Sequence, residues 1–173
     1  MALEQFAAHG YHATSLQQIA DAAGVSKASV LYHYSSKEVL LEAVLAPAID
    51  ELAHTVDELE RMGTDDQSRR TFIERFVDFL LGHRLAMHIF VNQQIALVDM
   101  PIMERAGALI QRIGGHFERT TEDVEEEVRF GIALAGAAYL LTQADQWKDG
   151  PVHSPDALRP VLIRILADLI GKR

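Results

Sequence analysis

Reactive and metal-binding side chains form no complete catalytic set in this sequence. The chain has no cysteine, which excludes disulfides and thiol chemistry, and it has neither a phosphate-binding glycine loop nor a Gly-x-Ser-x-Gly motif. Glu51 and His54 have the Glu-x-x-His spacing of a di-metal helical bundle, but that site needs a second pair and two further carboxylates. We therefore expect no enzymatic activity, no catalytic residue, no metal site and no cofactor.

Side chains suited to DNA recognition are instead concentrated between residues 14 and 37. Lys27, Ala28 and Ser29 start a short predicted helix and offer a donor, a methyl group that suits thymine, and a hydroxyl. A helix N-terminus favours a phosphate group, because its first backbone N–H groups are free, and a hydroxyl at this position offers a further donor. The predicted DNA contacts are Thr14, Ser15, Ser26, Lys27, Ala28, Ser29, Tyr32, His33 and Lys37.

Three short helices are predicted to hold these side chains. The first spans residues 2–9, and the second begins at Thr14, with Gln17 completing a capping box. A bend at residues 24–25 leads to the third helix, over residues 26–34. Three short helices with a glycine-containing turn before the last form a helix-turn-helix, whose last helix enters the major groove of DNA.

The segment from Thr14 to Glu38 resembles the DNA-binding region of the tetracycline-repressor (TetR) family. The resemblance rests on the string TSLQQIADAAGVSKAS, the following YHY and the later KE, in roughly the first quarter of the chain. It implies an N-terminal domain that binds DNA and a helical remainder that binds an effector and dimerises. In this geometry Tyr32 and His33 are expected to reach the DNA backbone, and Lys37 adds a charge at a phosphate.

Two features of the segment depart from the family pattern. The family often has a tyrosine one position before Tyr32, where this chain has Leu31, and it usually has basic residues before the first helix. The first 45 residues hold two lysines and four acidic side chains, a net charge of −2, and the whole chain carries −9. Because non-specific affinity comes from neutralised phosphates, any DNA contact is expected to be local.

A long fourth helix is predicted to connect two domains. It begins at Ser35 or Ser36, and Pro47 removes one of its backbone hydrogen bonds, so we predict a kink in the turn that ends at this proline. The kink marks the expected boundary between a helix-turn-helix domain of residues 1–45 and an effector-binding and dimerisation domain of residues 46–173.

The remainder is also predicted to be helical, so the fold class is all-α. Apolar residues recur at spacings of three and four, as in helices. Thr120 and Asp123 predict the start of a helix that reaches Trp147, and residues 154–155 predict the start of the last one. The longest apolar run, residues 130–141, is too short to cross a bilayer, and the chain starts without a secretion signal. We expect a cytoplasmic location and no membrane contact.

Aromatic, methionine and polar side chains in the larger region predict an apolar effector pocket. Such a pocket needs adaptable apolar surface and a few polar groups to orient its ligand. The alternative is an ordinary core for each aromatic residue, and an exposed or internally bonded side chain for each polar one. The candidate ligand contacts are Phe76, Phe79, His83, Met87, Phe90, Gln94, Met103, Phe117, Tyr139 and Gln143.

The last two helices predict an interface between two copies of the chain. Gly131, Ala135 and Gly136 are small residues that permit close helix approach, and the last helix is apolar on more than one face. Two such helices from each subunit would form a four-helix bundle with twofold symmetry, which matches a palindromic operator. A core within one chain is the alternative.

The residues and the resemblance together predict a dimeric transcriptional regulator that binds double-stranded DNA. As in the resembled family, we expect a repressor that a small, mainly apolar effector releases from a palindromic operator, through movement of the long helix. The alternative is a helical ligand-binding or interaction module whose DNA binding is weak or lost, which the acidic N-terminal segment favours.

Overall fold

The computed structural model describes residues 1–63, 65–120, 123–143 and 154–170. Every regular element in those residues is a helix, which confirms the all-α prediction. In chain order the helices are α1 (Ala2–His9), α2 (Leu16–Ala23), α3 (Lys27–His33), α4 (Lys37–Arg61), α5 (Asp66–Gly82), α6 (Arg84–Asn92), α7 (Gln94–Leu97), α8 (Pro101–Thr120), α9 (Val124–Gln143) and α10 (Pro155–Ile170).

The start of α2 differs from the prediction by one residue. Ser15 caps the helix, and its capping-box partner is Gln18, whereas the sequence suggested Thr14 with Gln17. The reason is the burial of Thr14, whose hydroxyl donates to a backbone carbonyl of α1 and to the carbonyl of Gly10. The Thr14 side chain is turned towards α1 and Gly10, and Ser15 accepts from the backbone N–H of Gln18 at the start of α2 instead.

Ser26 and Ser36 cap α3 and α4, in agreement with the sequence. Ser26 Oγ accepts from the backbone N–H of Ser29 at 3.0 Å, and Ser36 Oγ accepts from that of Val39 at 3.3 Å. Between α2 and α3, Gly24 has a φ of +68°, a left-handed conformation that favours glycine. The predicted helix-turn-helix is therefore present, with its turn where the sequence places it.

The long helix α4 continues through Pro47 and packs against α1, α5 and α8. Leu41 and Leu45 before the proline and Ile49 after it belong to one hydrophobic core that extends from Phe6 to the end of α10. The predicted boundary at residue 45 thus falls inside a helix and inside a shared core. The kink and the division into two domains stay predictions.

Aromatic rings fill the centre of the larger region. The ring centroids of Phe117 and Phe130 lie 3.2 Å apart, and those of Phe72 and Phe117 lie 5.8 Å apart. Around this centre α5 packs against α10, and α9 packs against α6 and α10. Arg112 of α8 connects this helix to α4 through ion pairs with Asp57 at 2.7 Å and Glu60 at 2.6 Å.

The start of α9 also needs a correction. Thr120 belongs to the end of α8, and Asp123 precedes α9, with its carboxylate accepting from the backbone N–H of Glu125 at 3.0 Å. The predicted end at Trp147 lies outside the described residues. Among the helices that are described, none has the length and hydropathy needed to span a bilayer.

Candidate nucleic-acid interface

The outer face of α3 presents the side chains predicted to read DNA. Lys27 and Ala28 are exposed, Ser29 is half-buried, and the side chain of Tyr32 is 86% exposed. A tyrosine this exposed contributes nothing to the core, so packing does not explain it. On the opposite side of the helix, Val30 is buried and holds α3 against the domain.

His33 and Tyr34 end the helix in different environments. His33 is exposed, and its ring lies edge-on to that of Tyr32 with centroids 5.2 Å apart. Tyr34 is half-buried and packs on the hydrophobic core one turn after Val30. The helix therefore has a fixed inner side and a free outer side, as an element that enters a groove requires.

The capping serines retain a donor for a phosphate. Ser15 and Ser26 are exposed, and each hydroxyl oxygen accepts from a backbone N–H, at 3.2 Å from Gln18 and 3.0 Å from Ser29. A serine that accepts in this way keeps its own O–H free to donate. Both predicted contacts are thus compatible with the geometry.

Two other predicted DNA contacts face inward instead. Lys37 Nζ donates to the carbonyls of Tyr11 at 2.9 Å and Thr14 at 3.0 Å, and it lies 4.3 Å from the centroid of the Tyr11 ring. Thr14 is 2% exposed and bonded to backbone carbonyls. Carbonyls in the α1–α2 loop need donors when the loop is buried, and these two residues supply them. They position the helices rather than contact a phosphate.

Tyr11 is a positioning residue that the sequence interpretation missed. Its ring is 6% exposed, and its hydroxyl donates to Glu38 Oε1 at 2.7 Å. Burial, together with this bond, raises the pKa of Tyr11 above its usual range, and the hydrogen bond from Tyr11 lowers the pKa of Glu38 to about 2. An aromatic residue directly after a helix-closing glycine was the available signal. The bond ties the end of α1 to the start of α4.

Gln93 connects the same loop to the larger region. Its Nε2 donates to the carbonyl of Phe6 and its Oε1 accepts from the backbone N–H of Tyr11, both at 2.8 Å. The sequence interpretation selected the neighbouring Gln94 as the inward-facing amide, and the structure corrects this, because Gln94 is exposed. An open cleft of about 590 Å³ lies beside Gln93, between residues 9–13 and residues 91–96.

Charge on the DNA-facing side is modest. Of the two lysines in the first 45 residues, Lys37 is engaged with loop carbonyls, which leaves Lys27 exposed on α3. Two of the four acidic residues are also engaged, because Asp21 accepts from Gln17 at 2.7 Å and Glu38 accepts from Tyr11. The expectation that DNA contacts are local stays a prediction.

The candidate effector contacts occupy three kinds of environment. Phe76, Phe79, Phe90 and Phe117 are buried core residues, and Met87 and Met103 are half-buried. His83 bonds Glu51 at 2.7 Å. Tyr139 is 56% exposed, so the structure corrects its assignment to an interior pocket. Gln94 is exposed as well, and the side chain of Gln143 lies outside the described residues.

Apolar side chains are exposed on both α9 and α10. On α9 the side chain of Val128 is 53% exposed and that of Ile132 is 64% exposed, and they lie one helical turn apart on the side of Tyr139. On α10, Val161 and Ile165 have the same spacing and are 41% and 45% exposed. Because α9 packs against α10, these side chains mark the two helices predicted to form a dimer.

A helix with an anchored inner side, a solvent-exposed outer side and a preceding left-handed glycine turn defines a helix-turn-helix DNA-binding domain. Residues 1–44 match the family model described as "Bacterial regulatory proteins, tetR family". The N-terminal region of this chain thus matches the DNA-binding domain of TetR-family transcriptional regulators, which confirms the resemblance found in the sequence.

Two similar proteins are named as transcriptional regulators. FasR, an HTH-type transcriptional activator of Mycolicibacterium smegmatis, is 41% identical over 99 residues, which are 54% of this chain and 44% of FasR. RutR, an HTH-type transcriptional regulator of Escherichia coli, is 51% identical over 49 residues, which are 28% of this chain and 23% of RutR. The matched segments span less than half the length of either relative.

The fold of the whole chain is also found in a solved structure. The ketosteroid transcriptional regulator KstR2 of Mycobacterium tuberculosis matches with a TM-score of 0.75 over 98% of this chain and 89% of that chain, at 17% sequence identity. At this identity the likeness shows the fold.

Proposed function

We propose that the protein is a dimeric transcriptional regulator that binds a palindromic operator through the outer face of α3. The observation that carries the proposal is the exposure of Lys27, Ala28 and Tyr32 on a helix whose inner side is fixed by Val30. These types supply a charged donor, a methyl group and an aromatic hydroxyl to the groove and backbone of DNA. The protein acts in the cytoplasm as a non-enzymatic DNA-binding protein.

Dimerisation through α9 and α10 supplies the symmetry. The exposed side chains of Ile132, Tyr139, Val161 and Ile165 have no covering partner within the described part of the chain. Burial of these side chains against a second copy forms a four-helix bundle with a twofold axis. The same axis relates two α3 helices, so that each reads one half-site of an inverted repeat.

The proposed regulation is repression that a small, mainly apolar effector relieves. Phe76 and Phe117 both pack against the ring of Phe72, and an effector that enters between these rings displaces α5 and α8. Both helices pack on α4, which begins directly after the DNA-binding helices. In the DNA-bound dimer the separation of the two α3 helices matches the roughly 34–36 Å repeat of the major groove. Movement of α4 changes this separation, and the affinity for the operator falls.

The second candidate function is a ligand-binding or interaction module with weak or lost DNA binding. The inward position of Lys37 and the net charge of −2 over residues 1–45 favour it, since they reduce attraction to phosphates. Under this alternative the fold, the dimer and the effector site are retained, and the outer face of α3 contacts no base.

Selection of bound sequences from random duplexes at low salt separates the two functions. The regulator proposal predicts enrichment of one inverted repeat, and a Tyr32→Ala protein that dimerises normally but binds this repeat more than tenfold less tightly. Analytical ultracentrifugation checks the dimer, and fluorescence anisotropy measures the affinity. A folded dimer that enriches no inverted repeat supports the second function instead.

A further inference from the structure

Leu31 is an exposed leucine on the helix that is proposed to enter the DNA. Its side chain is 39% exposed, although the helix is short and Val30 beside it is buried. Leu31 follows Ala28 by three positions and Lys27 by four, so the three side chains lie on neighbouring turns of one side of α3. The outer face therefore combines an apolar strip, formed by Ala28 and Leu31, with a flanking charge.

An apolar side chain at this position can recognise one feature of a base edge. Leucine has no donor or acceptor, so it cannot form hydrogen bonds with phosphates or with polar base edges. The thymine 5-methyl group is the apolar feature of the major groove, and apolar side chains discriminate bases through it. Leucine also extends further from the helix than alanine, so Leu31 reaches a methyl group that Ala28 alone does not.

We propose that Leu31, together with Ala28, reads a thymine methyl group in each half-site of the operator. This inference rests on the proposed function, since it requires α3 to lie in the major groove. It assigns to Leu31 a specificity-determining role, distinct from the donors and hydroxyls on the same helix. An operator half-site therefore contains a thymine whose methyl group, rather than its hydrogen-bonding pattern, is recognised.

The test replaces thymine by deoxyuridine, one symmetric pair of positions at a time, in the inverted repeat that the wild-type protein selects. Deoxyuridine lacks only the 5-methyl group. At one position per half-site we expect wild-type affinity to fall about fourfold for each methyl removed, the effect of one buried carbon group. The Leu31→Ala protein should bind the thymine operator more weakly and should not distinguish thymine from deoxyuridine at that position.

Two control proteins distinguish a contact between Leu31 and the thymine methyl group from a general effect of the substitution on the structure. Leu85→Ala truncates a leucine of similar exposure, 36%, on α6, and it should retain full discrimination. Leu31→Met keeps an apolar side chain of similar reach and should also retain it. Thermal unfolding followed by circular dichroism confirms that each variant is folded.

Three outcomes overturn the inference, and they are distinguishable. If Leu31→Ala binds as tightly as the wild type, or if it still discriminates thymine from deoxyuridine at every position, the operator is recognised without Leu31. If wild-type affinity is insensitive to every deoxyuridine substitution, no methyl group is read. If no inverted repeat is selected in the first step, the proposed function fails, and this inference fails with it.

Discussion

A lysine and a tyrosine occur both on the outer face of α3 and at the loop between α1 and α2, where the lysine comes from the start of α4, but the two pairs are used differently. On α3, Lys27 and Tyr32 face solvent, and the tyrosine is 86% exposed. At the loop, Lys37 and Tyr11 face inward, and the tyrosine is 6% exposed. The presence of a lysine and a tyrosine in a DNA-binding domain therefore does not by itself indicate that they contact DNA. Internal hydrogen bonds decide which of the two pairs is free to bind it.

The two tyrosines should differ most in their contribution to stability. Tyr11→Ala removes a buried ring and should lower the free energy of unfolding by about 3–5 kcal/mol, as for other large aromatic truncations. Tyr32→Ala removes an exposed ring and should change it by less than about 0.5 kcal/mol. Urea denaturation measures both. Equal effects of the two substitutions would contradict the proposed difference between the regions.

The hydrogen bonds of Gln93 give the next largest expected effect. Gln93→Leu leaves the N–H of Tyr11 without its acceptor and removes one of the two donors to the carbonyl of Phe6, the other being the N–H of Gly10. This should lower the free energy of unfolding by about 1–3 kcal/mol. Gln94→Leu is the matched control, because the neighbouring amide is exposed. It should change stability by less than about 0.5 kcal/mol. The prediction fails if the two variants unfold at the same urea concentration.

The two lysines should be separated by the salt dependence of DNA binding. Lys27→Ala removes an exposed charge and should reduce the slope of log affinity against log salt by about one per subunit. Lys37→Ala should leave the slope unchanged and lower stability instead, because Nζ binds two loop carbonyls. Fluorescence anisotropy from low to moderate salt gives both slopes. A reduced slope in Lys37→Ala would place this lysine at the DNA.

The smallest expected effect is a pH dependence of the bond between Tyr11 and Glu38. The pKa of Glu38 is lowered from 4.5 to about 2, with the bond from Tyr11 as the largest cause, so the contribution of this bond is present above pH 4.5 and is lost as pH falls towards 2. The stability difference between wild type and Tyr11→Phe should therefore be constant at neutral pH and shrink through this window. Urea midpoints at pH 7, 4 and 3 test this. A difference that stays constant down to pH 3 would show that the carboxylate is not involved.

Local features of the fold were predictable from the sequence. Ser26, Ser36 and Gly24 define helix ends through contacts within three or four residues, so their spacing is sufficient to locate them. Gln93 was not predictable, because its partners Phe6 and Tyr11 are more than eighty residues away. In the run of three amides at residues 92–94, tertiary packing decides which side chain faces inward.

In the larger region, the sequence likewise could not predict which residues contact a ligand. The apolar spacing of α5 predicts that Phe72, Phe76 and Phe79 share a face, and all three are buried. That spacing is identical for a core and for a pocket lining, so it cannot distinguish them. Tyr139 illustrates the converse, because a tyrosine among apolar residues suggests an interior position, whereas its side chain faces outward on α9.

The central claim is that the outer face of α3 contacts DNA, while Tyr11 only ties the end of α1 to the start of α4. The most direct test is the operator affinity of Tyr32→Ala and Tyr11→Phe, measured by fluorescence anisotropy under identical conditions. We predict that Tyr32→Ala loses more than about tenfold in affinity, as expected for loss of a 1.4 kcal/mol contact, while Tyr11→Phe stays close to wild type. Unchanged binding by a folded Tyr32→Ala dimer would contradict the account.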